Sequence, residues 1–212
     1  MISERNETGE MAEYRDLAPT TMLAPVPAVL VSCRAEGGRP NALAVAWAGT
    51  VCSHPPMLSV SLKPERLSHG LIRESGEFVV NLVDAAHARA LDYCGVRSGR
   101  DGDKLAACGL RAEPMPGLRL APALADLPVQ LGCTVRQVIP LGSHDLFLAE
   151  ITGVRVREDL FDEDGSLHLE RAGLIGYSHG VYQRAGEPIG FFGWSVARPD
   201  VLEKRMSRLR QG

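Results

Sequence analysis

Met57-Leu58-Ser59-Val60-Ser61-Leu62 alternates apolar and small polar side chains with a period of two. Successive side chains of a strand point to opposite faces, so this stretch predicts a half-buried strand. Upstream, Pro25-Val26-Pro27 opens an apolar strand running through Cys33, and Glu36-Gly37-Gly38-Arg39-Pro40 reads as a turn. The small and β-branched residues of 41–50 then form a second strand that pairs back on the first, and Ser53-His54-Pro55-Pro56 is the loop feeding 57–62. Downstream, Pro64 suits a first helical turn, and Leu67, Leu71 and Ile72 recur at helical spacing until Ser75-Gly76 ends the run.

The pattern continues in both kinds of element. Residues 77–83 read as a strand, 85–94 as a helix and 99–104 as a loop. Residues 129–139 and 145–157 are long strands joined through Pro140-Leu141-Gly142-Ser143-His144 into a second hairpin. Four prolines and little periodicity in 111–128 predict a segment that wanders over the surface. Short edge strands are expected at 167–169 and 173–177, and a terminal helix over 200–210, with Lys204, Arg205, Arg208 and Arg210 on its solvated face. The sum is a mainly β chain with short helices tucked around a barrel.

At 212 residues the chain suits one domain with extensions: an N-terminal extension over 1–24, a domain over 25–195 and a C-terminal helix in 196–212. A formal net charge of -3 gives no electrostatic reason to bind nucleic acid or anionic lipid, so a small molecule is the expected partner. Five cysteines without a CxxC pair argue against a disulfide framework and a zinc site, and for a reducing compartment. The charged first twenty residues lack the apolar core of a secretory signal, and the longest apolar run falls far short of the roughly 20 residues that span a bilayer. The expectation is a soluble cytoplasmic protein without a transmembrane segment. No GxSxG, HExxH, GxxxxGK[ST] or strand-to-helix GxGxxG occurs, and His54, His69, His87 and His179 show no metal-ligand spacing, so no metal is expected.

Three stretches carry a resemblance: Asn41-Ala42-Leu43-Ala44-Val45-Ala46-Trp47; Ser53-His54-Pro55-Pro56 running into Ser59-Val60-Ser61; and Arg66-Leu67-Ser68 leading to Ser75-Gly76-Glu77-Phe78-Val79-Val80-Asn81. With Gly102-Asp103-Lys104-Leu105 and the run from His144 to Ile151, this ordered set resembles the flavin-reductase-like, FMN-binding split-barrel family, closest to its flavoredoxin branch, over roughly residues 25–195. The resemblance implies a six-stranded Greek-key split barrel, usually a homodimer, with FMN in a groove near the subunit interface. It assigns flavin contacts to Asn41, Trp47, Lys104, His144 and Tyr177, and the chemistry of the residues adds Ser68 as a hydroxyl donor to the phosphate and Arg66 as a second cation beside Lys104. Ser68 stands where relatives often carry threonine, which keeps the hydroxyl, and the match weakens after Ser195.

The chemistry of these residue types is consistent with those roles. A strand-to-helix passage such as 63–69 offers unsatisfied N–H groups and the positive end of a helix dipole to a phosphate. Ser68 could donate its hydroxyl there and Lys104, read on a loop, its charge; each also has a bland reading, as a helix cap and an ordinary loop lysine. Asn41 and Trp47, six apart in one strand, would share a face and so one ligand, though Trp47 also reads as a core anchor. His144 could hydrogen-bond the cofactor or respond to its charge, and Tyr177, with Tyr182 as its neighbour, could pack near it or in the core.

Two functional classes follow from the resemblance. In one, NADH or NADPH reduces FMN and the reduced flavin passes electrons on; the cofactor carries the hard chemistry and no side-chain nucleophile is needed. In the other, the chain is an electron carrier that keeps FMN bound and serves redox partner proteins without a nicotinamide site. A third possibility is that the barrel holds another ligand, such as haem or a pyridoxal derivative, because one fold hosts unrelated sites. Without a Rossmann fingerprint, a nicotinamide would have to stack in the flavin groove itself.

Overall fold

The computed structural model describes residues 13–211, so the first twelve residues of the expected N-terminal extension lie outside the described residues. The strand predicted from the 57–62 alternation is β5 (Pro56–Leu62), with Leu58, Val60 and Leu62 buried and the residues between them half-buried. Around it, β2 (Val29–Cys33), β3 (Asn41–Val45), β4 (Ala48–Ser53), β6 (Glu77–Leu82), β9 (Val129–Pro140) and β10 (Asp145–Val156) complete one seven-stranded sheet in the order β3-β2-β6-β9-β10-β5-β4. All of its pairings are antiparallel.

The two edge strands of that sheet, β3 and β4, are consecutive in the chain, joined by Ala46 and Trp47 alone. A sheet whose opposite edges are tied by two residues must curl on itself, and full curling is how an antiparallel sheet hides its edges. The Trp47 carbonyl accepts the Ser61 N–H at 2.9 Å, which pins this junction to β5. The expected split barrel is borne out. Its seventh strand arises because the continuous strand expected over 41–50 breaks at Ala46–Trp47 into β3 and β4.

The barrel interior is filled from alternating positions, including Val29, Val31 and Cys33 of β2, Val60 and Leu62 of β5, Phe78 and Val80 of β6, and Phe147 and Ala149 of β10. The opposite face of β2 is buried too. Leu30 and Ala28 pack with Leu91 and Cys94 of α2 (Ala88–Val96) and Leu105 of α3 (Lys104–Cys108), so the helices close a second core outside the barrel wall. A third helix, α1 (Leu67–Ser75), leaves β5 and sends Ile72 inside the barrel.

Residues 111–128 do not wander over the surface. They form a two-stranded ribbon, β7 (Ala112–Pro114) and β8 (Pro122–Leu124), with Met115, Ala121, Ala123, Leu124 and Leu127 buried. Prolines remove ladder donors, so side chains of the barrel satisfy this backbone instead. Ser32 donates to the Pro122 carbonyl at 2.6 Å, Asn81 accepts the Leu124 N–H at 2.9 Å, and Glu77 accepts the Leu120 N–H at 2.7 Å.

A small sheet formed by β1 (Val26–Pro27), β11 (Ile175–Ser178) and β12 (Val181–Arg184) flanks the barrel. Its β11–β12 hairpin turns through His179 and Gly180, both at positive φ. The edge strand expected at 167–169 is instead an isolated bridge at Leu167 followed by a 3-10 turn over Leu169–Ala172. The terminal helix is α4 (Pro199–Gln211), with the Arg205 guanidinium 4.2 Å from the centre of the Phe191 ring. No helix among the described residues is long and apolar enough to cross a membrane.

Candidate functional site

Two cavities share a wall outside the barrel. The smaller, about 220 Å³, lies between the N-terminus of α1 and the loop that joins α2 to α3, and Asn41, Arg66, Ser68, Arg97, Arg100 and Lys104 are among its borders. Arg66 is the N-cap of α1, makes no side-chain cap, and no acidic residue occupies the first turn, so the helix's positive end is left to whatever enters. The Asn41 amide donates to the Ser68 hydroxyl at 2.7 Å, which fixes both buried side chains at the cavity floor.

Lys104 is the first residue of α3 rather than part of a loop, and it is buried. Its ammonium donates to the carbonyls of Cys94 at 3.0 Å and Arg97 at 3.2 Å, closing the C-terminal end of α2. Its ammonium makes no ion pair with a carboxylate among the described residues, and the ionisable groups that act on it are nearby thiols and Arg66. Burial pushes Cys33 and Cys94 up to about 12, so both stay neutral and supply no countercharge. Burial also lowers the Lys104 pKa from its ordinary value. An ammonium held in such a place is stabilised by an incoming anion.

The larger cavity, about 720 Å³, falls in the size range of small-molecule sites. Trp47, His144, Tyr177 and Tyr182 give it aromatic walls, while Ala28, Ala44, Ala46 and Gly95 leave its floor free of bulk. The Trp47 and His144 rings lie 4.5 Å apart, and those of Tyr177 and Tyr182 5.5 Å apart. Burial, and then the charge of Lys63, lower the His144 pKa and hold its ring neutral near pH 7. Tyr182 donates its hydroxyl to Asp92 at 3.2 Å.

All seven residues singled out in the sequence border one of these cavities. Asn41, Ser68 and Lys104 border the smaller, Trp47, His144 and Tyr177 the larger, and Arg66 both. One expectation about them is corrected: Asn41 and Trp47 do not share a face of one strand. The chain turns at Ala46–Trp47, so Asn41 is buried at 6% exposure beside Ser68 while Trp47, 45% exposed, stands at the other cavity. Sequence reasoning missed Arg97 and Arg100, which occupy a loop with no motif of its own, and Thr21, Met22, Leu23 and Ala24, the arm residues that rim the larger cavity. Lys63 falls inside the 63–69 passage already marked for an anion.

A cationic cleft opening beside an aromatic one suits an elongated ligand with an anionic end and a flat ring. The profile of the flavin reductase like domain matches residues 22–186, most of the chain. The chain belongs to the flavin reductase like domain family. Among solved structures of the family's fold, the flavoredoxin of Desulfovibrio vulgaris (Miyazaki F) superposes with a TM-score of 0.80 at 29% identity, covering 88% of this chain and 100% of that one. The FMN-binding protein from Thermus thermophilus, with bound 1-cyclohex-2-enone, has a TM-score of 0.71 at 26% identity and covers 85% of this chain and 99% of that one. By sequence, an NADPH-flavin oxidoreductase of Streptomyces viridifaciens is 26% identical over 80% of this chain and 88% of its own length. The family match ends before α4, so that helix and the segment leading to it lie beyond the shared domain.

Proposed function

We propose that this chain is an FMN-dependent oxidoreductase that takes electrons from NADH or NADPH. The observation that carries the reading is the buried ammonium of Lys104, which has no carboxylate partner among the described residues and faces a cleft that continues past Arg66 into an aromatic-walled cavity. The residues present fit FMN at both ends. Arg66, Ser68 and Lys104 would take the phosphate, with charge-assisted donors and the open first turn of α1. Trp47, His144 and Tyr177 would hold the ring, and Asn41 would keep the Ser68 hydroxyl in place.

Bound FMN supplies the redox chemistry. The chain's contribution is to orient the ring, keep water from one side of it and leave the other open to a donor. His144, held neutral, can donate or accept one hydrogen bond without adding charge to the site. The relationship to an NADPH-flavin oxidoreductase supports the nicotinamide donor. Exposed apolar side chains at Leu23, Ile189, Phe192 and Val196 support a homodimer.

A second reading, an electron carrier that retains FMN and serves redox partner proteins, is favoured by the full-length likeness to a flavoredoxin. Anaerobic mixing of the FMN-loaded protein with NADH and with NADPH separates the two. Rapid loss of the flavin's visible absorbance with either donor is the expected result. A flavin that stays oxidised with both, yet is reduced by a low-potential redox protein, would replace the reductase with the carrier.

A further inference from the structure

Arg39 lies in the turn between β2 and β3 and borders neither cavity. Its guanidinium nevertheless reaches across to the loop between α2 and α3, where one nitrogen donates to the Gly99 carbonyl at 2.8 Å and to the Gly102 carbonyl at 3.1 Å. Those carbonyls sit three residues apart on a loop whose Arg97, Ser98, Gly99 and Arg100 border the small cavity. The loop ends at Asp103, which caps α3 by accepting the Ala106 N–H at 3.0 Å and so sets where Lys104 begins.

The loop is also pressed as close to the floor as backbone allows. A Cβ at Gly99 would stand 2.3 Å from the Asn41 side-chain oxygen and 2.9 Å from Leu67. On the far side Arg100 donates to the Glu65 carbonyl at 3.1 Å, tying the same loop to the segment before α1. Arginine–carbonyl ties therefore cross here from Arg39, from Arg100 and, at 3.4 Å, from Arg66 to Gly95, but only the one from Arg39 comes from outside the cavity wall.

We infer that Arg39 is a positioning residue for the anionic end of the ligand: it holds the 97–103 loop, and with it Arg97, Arg100 and the start of α3, over the Asn41–Ser68 floor. The inference rests on the FMN reading above. It makes Arg39 matter to the phosphate and not to the ring, because no part of the larger cavity is fastened by it. A lysine in its place keeps the charge but carries it on a shorter side chain, so its ammonium falls short of the point where one terminal guanidinium nitrogen meets both carbonyls.

The test is titration of flavin-free protein with FMN and with riboflavin, followed by flavin fluorescence, for wild type, Arg39→Ala and Arg39→Lys, with thermal melts alongside. Arg39→Ala is expected to weaken FMN about tenfold, the worth of one charge-assisted hydrogen bond, and to leave riboflavin within twofold. Arg39→Lys should recover less than half of that loss. A wild-type preference for FMN that Arg39→Ala keeps would overturn this inference alone, as would an equal loss of both ligands, which marks a merely structural arginine. Wild-type protein that binds FMN no better than riboflavin would overturn the FMN reading and this inference with it.

Discussion

Lys104 shows how a single side chain can be legible in type and illegible in setting. Gly102-Asp103-Lys104 marks it as a candidate, but the sequence gives no sign that the residue starts a helix, is buried, or closes α2 through two carbonyls. Its depressed pKa has a directional consequence. Between the lowered value and the ordinary 10.5, the unfolded chain holds the proton and the folded chain does not, so Lys104 by itself makes stability rise with pH across that window. Phosphate binding has the opposite sign, since the charge it uses is lost as pH rises through the lowered value. FMN affinity is therefore expected to fall at alkaline pH below 10.5 while riboflavin affinity holds, measured by parallel titrations. Equal pH dependence for the two flavins would remove Lys104 from the phosphate site. Gly99 supplies a second residue-scale test. Gly99→Ala forces a clash with Asn41 or Leu67, and is expected to cost about 1–3 kcal/mol in chemical unfolding and to weaken FMN binding. A fully stable variant would show that the loop yields.

At the scale of elements, what the sequence reveals depends on whether an element is specified by its own pattern. The alternation of β5 is self-sufficient, because Leu58, Val60 and Leu62 face the barrel interior whatever their neighbours do. The break at Ala46–Trp47 is not, since nothing local separates a straight strand from one that must turn to bring the sheet's edges together. The ribbon at 112–124 is less legible still. Its prolines read as punctuation, while its backbone partners Ser32, Glu77 and Asn81 come from distant parts of the chain. Asn81 is the joint of that arrangement: fully buried, it donates to the Leu30 carbonyl at 2.9 Å and the Ser32 hydroxyl at 2.9 Å while accepting from Leu124. Asn81→Leu keeps the volume and strands those partners, so a loss of about 2–4 kcal/mol is expected from urea unfolding. A variant as stable as wild type would mean that the ribbon finds other partners.

For the molecule as a whole, seven residues read from sequence converge on two joined cavities, and the convergence depends on the barrel. It brings β3, the start of α1, the β9–β10 turn and β11 to one side, although they are scattered from Asn41 to Tyr177. The arm at 21–24 and the stretch 187–198 escape sequence reading because their apolar residues have no period, whereas α4 is legible from Val201, Leu202, Met206 and Leu209 at helical spacing. The most direct measurement is the binding of FMN and riboflavin to flavin-free wild-type protein by calorimetry. One FMN per chain, held at least about tenfold more tightly than riboflavin, is the result that a phosphate between Arg66, Ser68 and Lys104 requires. No binding, or equal affinity for the two flavins, would contradict it.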